Sequence, residues 1–69
     1  MYEEQTDLLK RIKENKILIK FIARKTGETV SVVSARLFGY CTIDQDKRAA
    51  IVKAIDEILL ERKAAAIEK

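Results

Sequence analysis

The tightest constraint on this chain lies in residues 22–39, IARKTGETVSVVSARLFG, where two short helical patterns meet across a brief break. Ile22-Ala23-Arg24-Lys25 runs up to Gly27, and Val30 through Leu37 resumes after Glu28 and Thr29. Glycine can take the left-handed backbone conformation that stops one helix and turns the chain sharply. Thr29 is then placed to cap the next helix, its hydroxyl accepting from an amide two or three residues on. Ala23 is small enough for the second helix to pass closely over the first. Val33 and Leu37, four apart, give that second helix an inward stripe.

The flanking sequence supplies the remaining helices. Residues 3–14 read as an amphipathic helix with Leu8, Leu9 and Ile12 on one face. Its start is either near Glu3 or at Asp7 with Thr6 as the cap, and Asn15 ends it. Lys16 to Lys25 is denser, with Ile17, Leu18, Ile19, Phe21 and Ile22 nearly continuous. By composition that run suits a strand, but the helical context and the spacing of Leu18, Ile22 and Lys25 favour a helix. Its apolar residues cover more than one face, which means either burial all round or a contact with a second subunit.

Phe38 to Thr42 is the longest loop signal, and Gly39 closes the preceding helix. Asp44 caps a long final helix spanning about 44–65, with Asp46 in its positive first turn and Ile43 packed outside the cap. Ile51, Ile55, Ile58 and Leu59 continue an inward stripe that Ala49, Ala50 and Ala54 keep narrow. After Glu61 the sequence RKAAAIEK either frays, extends as exposed helix or pairs with another chain. The spacing predicts a single all-α domain over residues 1–69, compact and built of four to five helices.

Composition removes several classes of function. The 69 residues include no histidine, one cysteine and two glycines. An imidazole base, a His-ligated or four-cysteine metal site and a glycine-rich phosphate loop are all excluded. The sequence therefore points away from an enzyme and calls for no cofactor or metal. No apolar run approaches the roughly 20 residues of a membrane span. The opening MYEEQTDLLKR lacks a signal-peptide core, and a lone cysteine fits a reducing cytoplasm. So small a core also favours self-association.

Charge is unevenly spread. Residues 1–15 carry net −1 and residues 43–69 net 0, whereas residues 16–42 carry net +4. The excess comes from Lys16, Lys20, Arg24, Lys25 and Arg36 against Glu28 alone. It coincides with the two-helix pattern, whose spacing is that of a helix-turn-helix (about 18–39) with the second helix presented toward a DNA major groove. Positive charge there suits nucleic acid, because phosphate neutralisation supplies much of the binding energy.

IARKTGETVSVVSARLFGY resembles the helix-turn-helix of the lambda-repressor-like superfamily, which includes Cro and cI-type phage repressors and lactose-repressor-type headpieces. Ile22, Ala23, Gly27, Val33 and Leu37 stand where that motif wants a hydrophobe, a small residue, the turn glycine and two inward hydrophobes. Gly39, Ile43-Asp44, Arg48 and Ala54-Ile55-Asp56-Glu57 look like the lactose-type headpiece's third helix. The helix ahead of the motif is similar to the Cro/cI arrangement. The resemblance covers about residues 5 to 60 and implies a lambda-repressor-like domain. Two positions depart from the pattern. Arg36 stands where an inward hydrophobe is usual, so that either the helix rotates slightly or Arg36 snorkels to a phosphate. Glu28 stands where a hydrophobe is common, and an acid near DNA costs affinity.

Base-contact candidates are Thr29, Val30, Ser31, Ser34 and Ala35: the apolar pair for thymine methyls, the hydroxyls for base edges or phosphate. Phosphate-contact candidates are Lys16, Lys20, Lys25, Arg36, Tyr40 and Lys47, each weighed against an ordinary solvated side chain. Tyr40 either donates to phosphate or covers the core edge. Arg48 opens the last helix and is as well placed for Asp44 or another local carboxylate. Cys41 reads as a small packing residue.

The function expected is a sequence-specific, double-stranded DNA-binding transcriptional regulator. A small phage- or plasmid-type repressor fits, binding operator half-sites as a homodimer with no small-molecule effector. The alternative is a helical protein-interaction module (antirepressor, antitoxin or adaptor) using the Ile17–Ile22 face or the last helix. The small residues at the base-reading positions speak for that alternative.

Overall fold

The computed structural model describes residues 3–67, and among them the architecture is all-α with four helices. These are α1 (Thr6–Glu14), α2 (Ile19–Thr26), α3 (Val30–Phe38) and α4 (Gln45–Ile67). Helix α2 packs against both α3 and α4, and α1 against α3. Leu8 and Ile12 of α1, Ile22 and Ala23 of α2, Val33 and Leu37 of α3 meet Ile51, Ala54, Ile55 and Ile58 of α4 in one core. Ile17, just ahead of α2, joins them. Among the described residues no polar side chain is buried with them.

Helix α1 begins at Thr6, three residues later than the longer of the two expected starts. The Gln5 amide donates to the Leu37 carbonyl at 2.9 Å, and its side-chain oxygen accepts from Arg48 at 2.7 Å. Both interactions hold Gln5 outside the helix, where no side chain caps α1. At the other end Asn15 stops the helix as expected, its side-chain amide donating to the Arg11 carbonyl at 2.8 Å.

The apolar run starting at Lys16 is not helical from its first residue. Lys16 takes a left-handed φ of 53°, and the Ile17 amide donates back to the Ile12 carbonyl at 2.9 Å. This turn drops Ile17 into the core and delays α2 to Ile19. The guanidinium of Arg62, far along α4, donates to the carbonyls of Asn15 and Lys16 and holds the turn. A long-range partner of this kind carries no local signal, which is why the turn is invisible in the run itself.

The α2–α3 connection follows local chemistry. Gly27 takes φ 74°, and its amide and that of Glu28 both turn back to the Ala23 carbonyl. Adding a Cβ at Gly27 meets nothing within 4 Å, so the requirement for glycine there is conformational rather than steric crowding. Thr29 Oγ1 accepts from the Val32 amide at 3.2 Å, capping α3. Gly39, φ 84°, ends that helix, and the Tyr40 amide closes onto the Ala35 carbonyl at 2.8 Å. Asp44 caps α4 by accepting from the Lys47 amide at 2.8 Å, with Ile43 partly buried against the core beside it.

Charged pairs run from α4 to the rest of the molecule. Arg11 reaches Asp56 at 2.7 Å, Lys25 reaches Glu61 at 2.6 Å and Glu57 at 3.6 Å, and Arg48 pairs with Asp7 of α1. Arg48 thus bypasses Asp44, because the fold brings Asp7 of α1 alongside it. The Arg48 hydrogen bond is the main cause holding the Asp7 carboxyl below its ordinary value of 3.8, against an opposing effect of burial. A depressed carboxyl stabilises the fold above its unfolded pKa and loses that contribution as pH falls through the folded one. Asp7→Asn should therefore be less stable than the parent at pH 7. It should also lose less of its stability between pH 7 and about pH 3. Urea denaturation at several pH values tests this, and parallel profiles for the two proteins would assign the acid sensitivity elsewhere.

Candidate nucleic-acid interface

Helix α3 has one face committed to the core and one free. At about 100° per residue, Val33 and Leu37 point inward and Ser31 and Ala35 form the opposite ridge. Ser31 is exposed, and Ser34 and Ala35 are half-buried. Val30, whose angle lies near the core side, is nevertheless 48% exposed because it opens the helix at the edge of the packing. Thr29 is exposed too, although its hydroxyl oxygen is already engaged by the Val32 amide. Val32 stands half-buried on one flank of the ridge and was not among the sequence candidates.

The cations divide into free and occupied. Lys20 and Arg24 are exposed and, being i and i+4, share a face of α2. Both lie over the Phe21 ring, at 5.4 Å and 6.0 Å from its centroid. Arg24 lies outside the phosphate-contact candidates named from the sequence, although its i, i+4 spacing from Lys20 points to it. Lys16 is exposed at its left-handed turn. Tyr40 is 70% exposed, so it does not cover the core edge.

Lys25, Arg36 and Lys47 are occupied. The hydrogen bond to Glu61, and then the charges of Glu61 and Glu57, raise the Lys25 ammonium above its ordinary pKa of 10.5 and hold it toward α4. Arg36 neither faces the core as a hydrophobe would nor reaches freely into solvent. Its guanidinium lies 3.4 Å from a carboxylate oxygen of Glu28, and the Lys47 ammonium lies 3.4 Å from the same oxygen. The Lys47 hydrogen bond, followed by that of Arg36, keeps the Glu28 carboxyl below its ordinary 4.5. The two departures from the sequence pattern, at positions 28 and 36, are thus one feature: an acid and a base that answer each other across the turn.

A second surface lies between α1 and the start of α2. Leu18 (53% exposed) and Phe38 (40%) line an open apolar groove with Leu9, Ile12, Ile17 and Ile19, rimmed by Glu4, Lys13 and Lys16. Cys41 is half-buried with a free thiol. Among the described residues, no helix is long and apolar enough to cross a membrane.

No family model matches the chain, and comparisons with curated proteins and with solved structures return no significant match. The chemistry of this surface therefore rests on its own geometry: a short helix edged with small hydroxyl and methyl groups, packed on a helix whose Lys20 and Arg24 have no carboxylate partner among the described residues.

Proposed function

We propose that the chain is a lambda-repressor-like helix-turn-helix protein that binds double-stranded DNA sequence-specifically and regulates transcription. The observation that carries this is the exposed Val30–Ser31 end of α3, which follows the Gly27 turn from α2, the helix that carries the exposed Lys20 and Arg24. A major groove about 12 Å wide admits such a helix. Ser31 and Ser34 offer hydrogen bonds to base edges or phosphate, and Val30 and Ala35 fit thymine methyls. Lys16, Lys20 and Arg24 supply the phosphate contacts that fix the register. The protein acts as a small phage- or plasmid-type repressor in the cytoplasm, a homodimer on half-sites about one helical turn apart. Because the outward positions of α3 carry no bidentate base-reader and Arg36 is held by Glu28, DNA shape contributes to its selectivity.

A fluorescence-anisotropy titration over several salt concentrations tests this, followed by selection from a randomised duplex pool. Binding should weaken steeply with salt, Lys20→Glu combined with Arg24→Glu should abolish it, and selection should enrich a motif. Micromolar or weaker affinity for every sequence without enrichment would end the sequence-specific reading. The groove at Leu18 and Phe38 favours a second reading, a helical protein-interaction module such as an antirepressor, antitoxin or adaptor. The same charge reversals would leave that binding intact.

A further inference from the structure

We propose that Glu28 is an affinity-limiting residue, a built-in anion that occupies Arg36 and Lys47 and competes with DNA phosphate for them. The inference rests on the DNA-binding reading and goes beyond it by assigning a role to the one acid among residues 16–42. One carboxylate oxygen faces two cations from different helices, Arg36 of α3 and Lys47 of α4, each at 3.4 Å. Both distances are long for a charge-assisted hydrogen bond, which prefers about 2.7–2.9 Å. The Lys47 side chain is 46% exposed and Glu28 27%, which gives an incoming anion access to the cluster, while Arg36 at 17% is anchored beside α3. Glu28 lies immediately before Thr29, the cap of the helix proposed to enter the groove. A phosphate approaching that flank meets two cations already neutralised by half and a carboxylate that repels it.

The other ion pairs do not share this arrangement. Asp7 with Arg48 and Asp56 with Arg11 join α1 to α4, and Glu57 and Glu61 turn Lys25 toward α4. Only the Glu28 cluster draws a cation from α3 itself.

Removing the carboxylate while keeping the side chain's shape isolates the effect. Glu28→Gln should bind a short mixed-sequence duplex about tenfold more tightly at moderate salt. Its log–log salt dependence should steepen by roughly 0.9 for each phosphate newly contacted, up to about 1.8 for two. Glu14→Gln makes the same change in net charge on an exposed residue of α1 whose one ion pair among the described residues is the i, i+4 contact with Lys10. It should leave affinity and slope unchanged.

Lys47→Gln provides an independent check that does not require the Glu28 variant to fold. A Lys47 already held by Glu28 contributes little to binding, so the substitution should leave the slope unaltered. A fall of about 0.9 would show Lys47 to be an ordinary phosphate contact and overturn the proposal. If the parent binds DNA and Glu28→Gln matches it in affinity and slope, Glu28 has no such role, while the DNA-binding reading stands. If neither protein binds even at low salt, both fall together.

Discussion

Leu37→Ala is expected to leave the domain close to or beyond the edge of folding. The side chain is fully buried at the junction of α3 with the rest of the core. Truncating a buried leucine costs about 2–5 kcal/mol, from lost transfer energy and the cavity left behind. A chain of this length has roughly 3–10 kcal/mol of total stability to lose, at about 0.05–0.15 kcal/mol per residue. The Leu37 carbonyl also accepts the Gln5 amide, so collapse around the cavity would disturb the start of α1 as well. Leu60→Ala makes the same chemical change at a side chain that is 66% exposed and should cost within about 0.5 kcal/mol. Urea or thermal denaturation of the two variants separates the cases. Similar midpoints would mean that α3 is not packed as described.

How far the fold can be read from the chain depends on whether the deciding interaction is local. Gly27, Thr29, Gly39 and Asp44 each act on amides or carbonyls within a few residues, and the structure gives each its expected local role. The inward stripes of α3 and α4 follow from spacing alone and recur in the core. Interactions spanning much of the chain are different. Arg48 finds Asp7, Lys25 finds Glu61, and Arg62 finds the carbonyls of Asn15 and Lys16. Which group a long side chain reaches is set by the register of one helix on another, and no spacing rule encodes that register. The left-handed Lys16 belongs to the same class, since nothing in lysine predicts a positive φ.

The candidate surface divides along the same line. That Ser31 stands exposed on α3 is legible, because the inward stripe determines the outward face, whereas Val30 owes its exposure to its place at the helix start. That Arg36 and Lys47 converge on Glu28 was not, because it needs α4 laid beside the turn. Counting charges along residues 16–42 suggested five available cations. In the folded molecule Arg36 and Lys25 are held by carboxylates, and the free ones are concentrated on α2 and at Lys16. The net charge of a segment is therefore a weaker guide to phosphate contacts than the list of cations left without partners.

On the proposed DNA-binding function, Ser31→Glu separates folding from DNA binding more sharply than any loss of a lysine. Ser31 is exposed, one residue inside the start of α3, and that helix has no acidic residue in its first turn. A carboxylate there complements the partial positive charge of the helix N-terminus and is expected to stabilise the fold by about 0.3–1 kcal/mol. In a DNA complex the same carboxylate would enter the groove between phosphates, where like charges oppose each other at a cost of several kcal/mol. Affinity for a duplex selected by the parent should fall by roughly 100-fold, while the melting temperature holds or rises. Opposite signs for stability and binding cannot come from unfolding. A Ser31→Glu variant that binds DNA as well as the parent would remove α3 from the major groove and leave the Leu18–Phe38 groove as the better candidate for function.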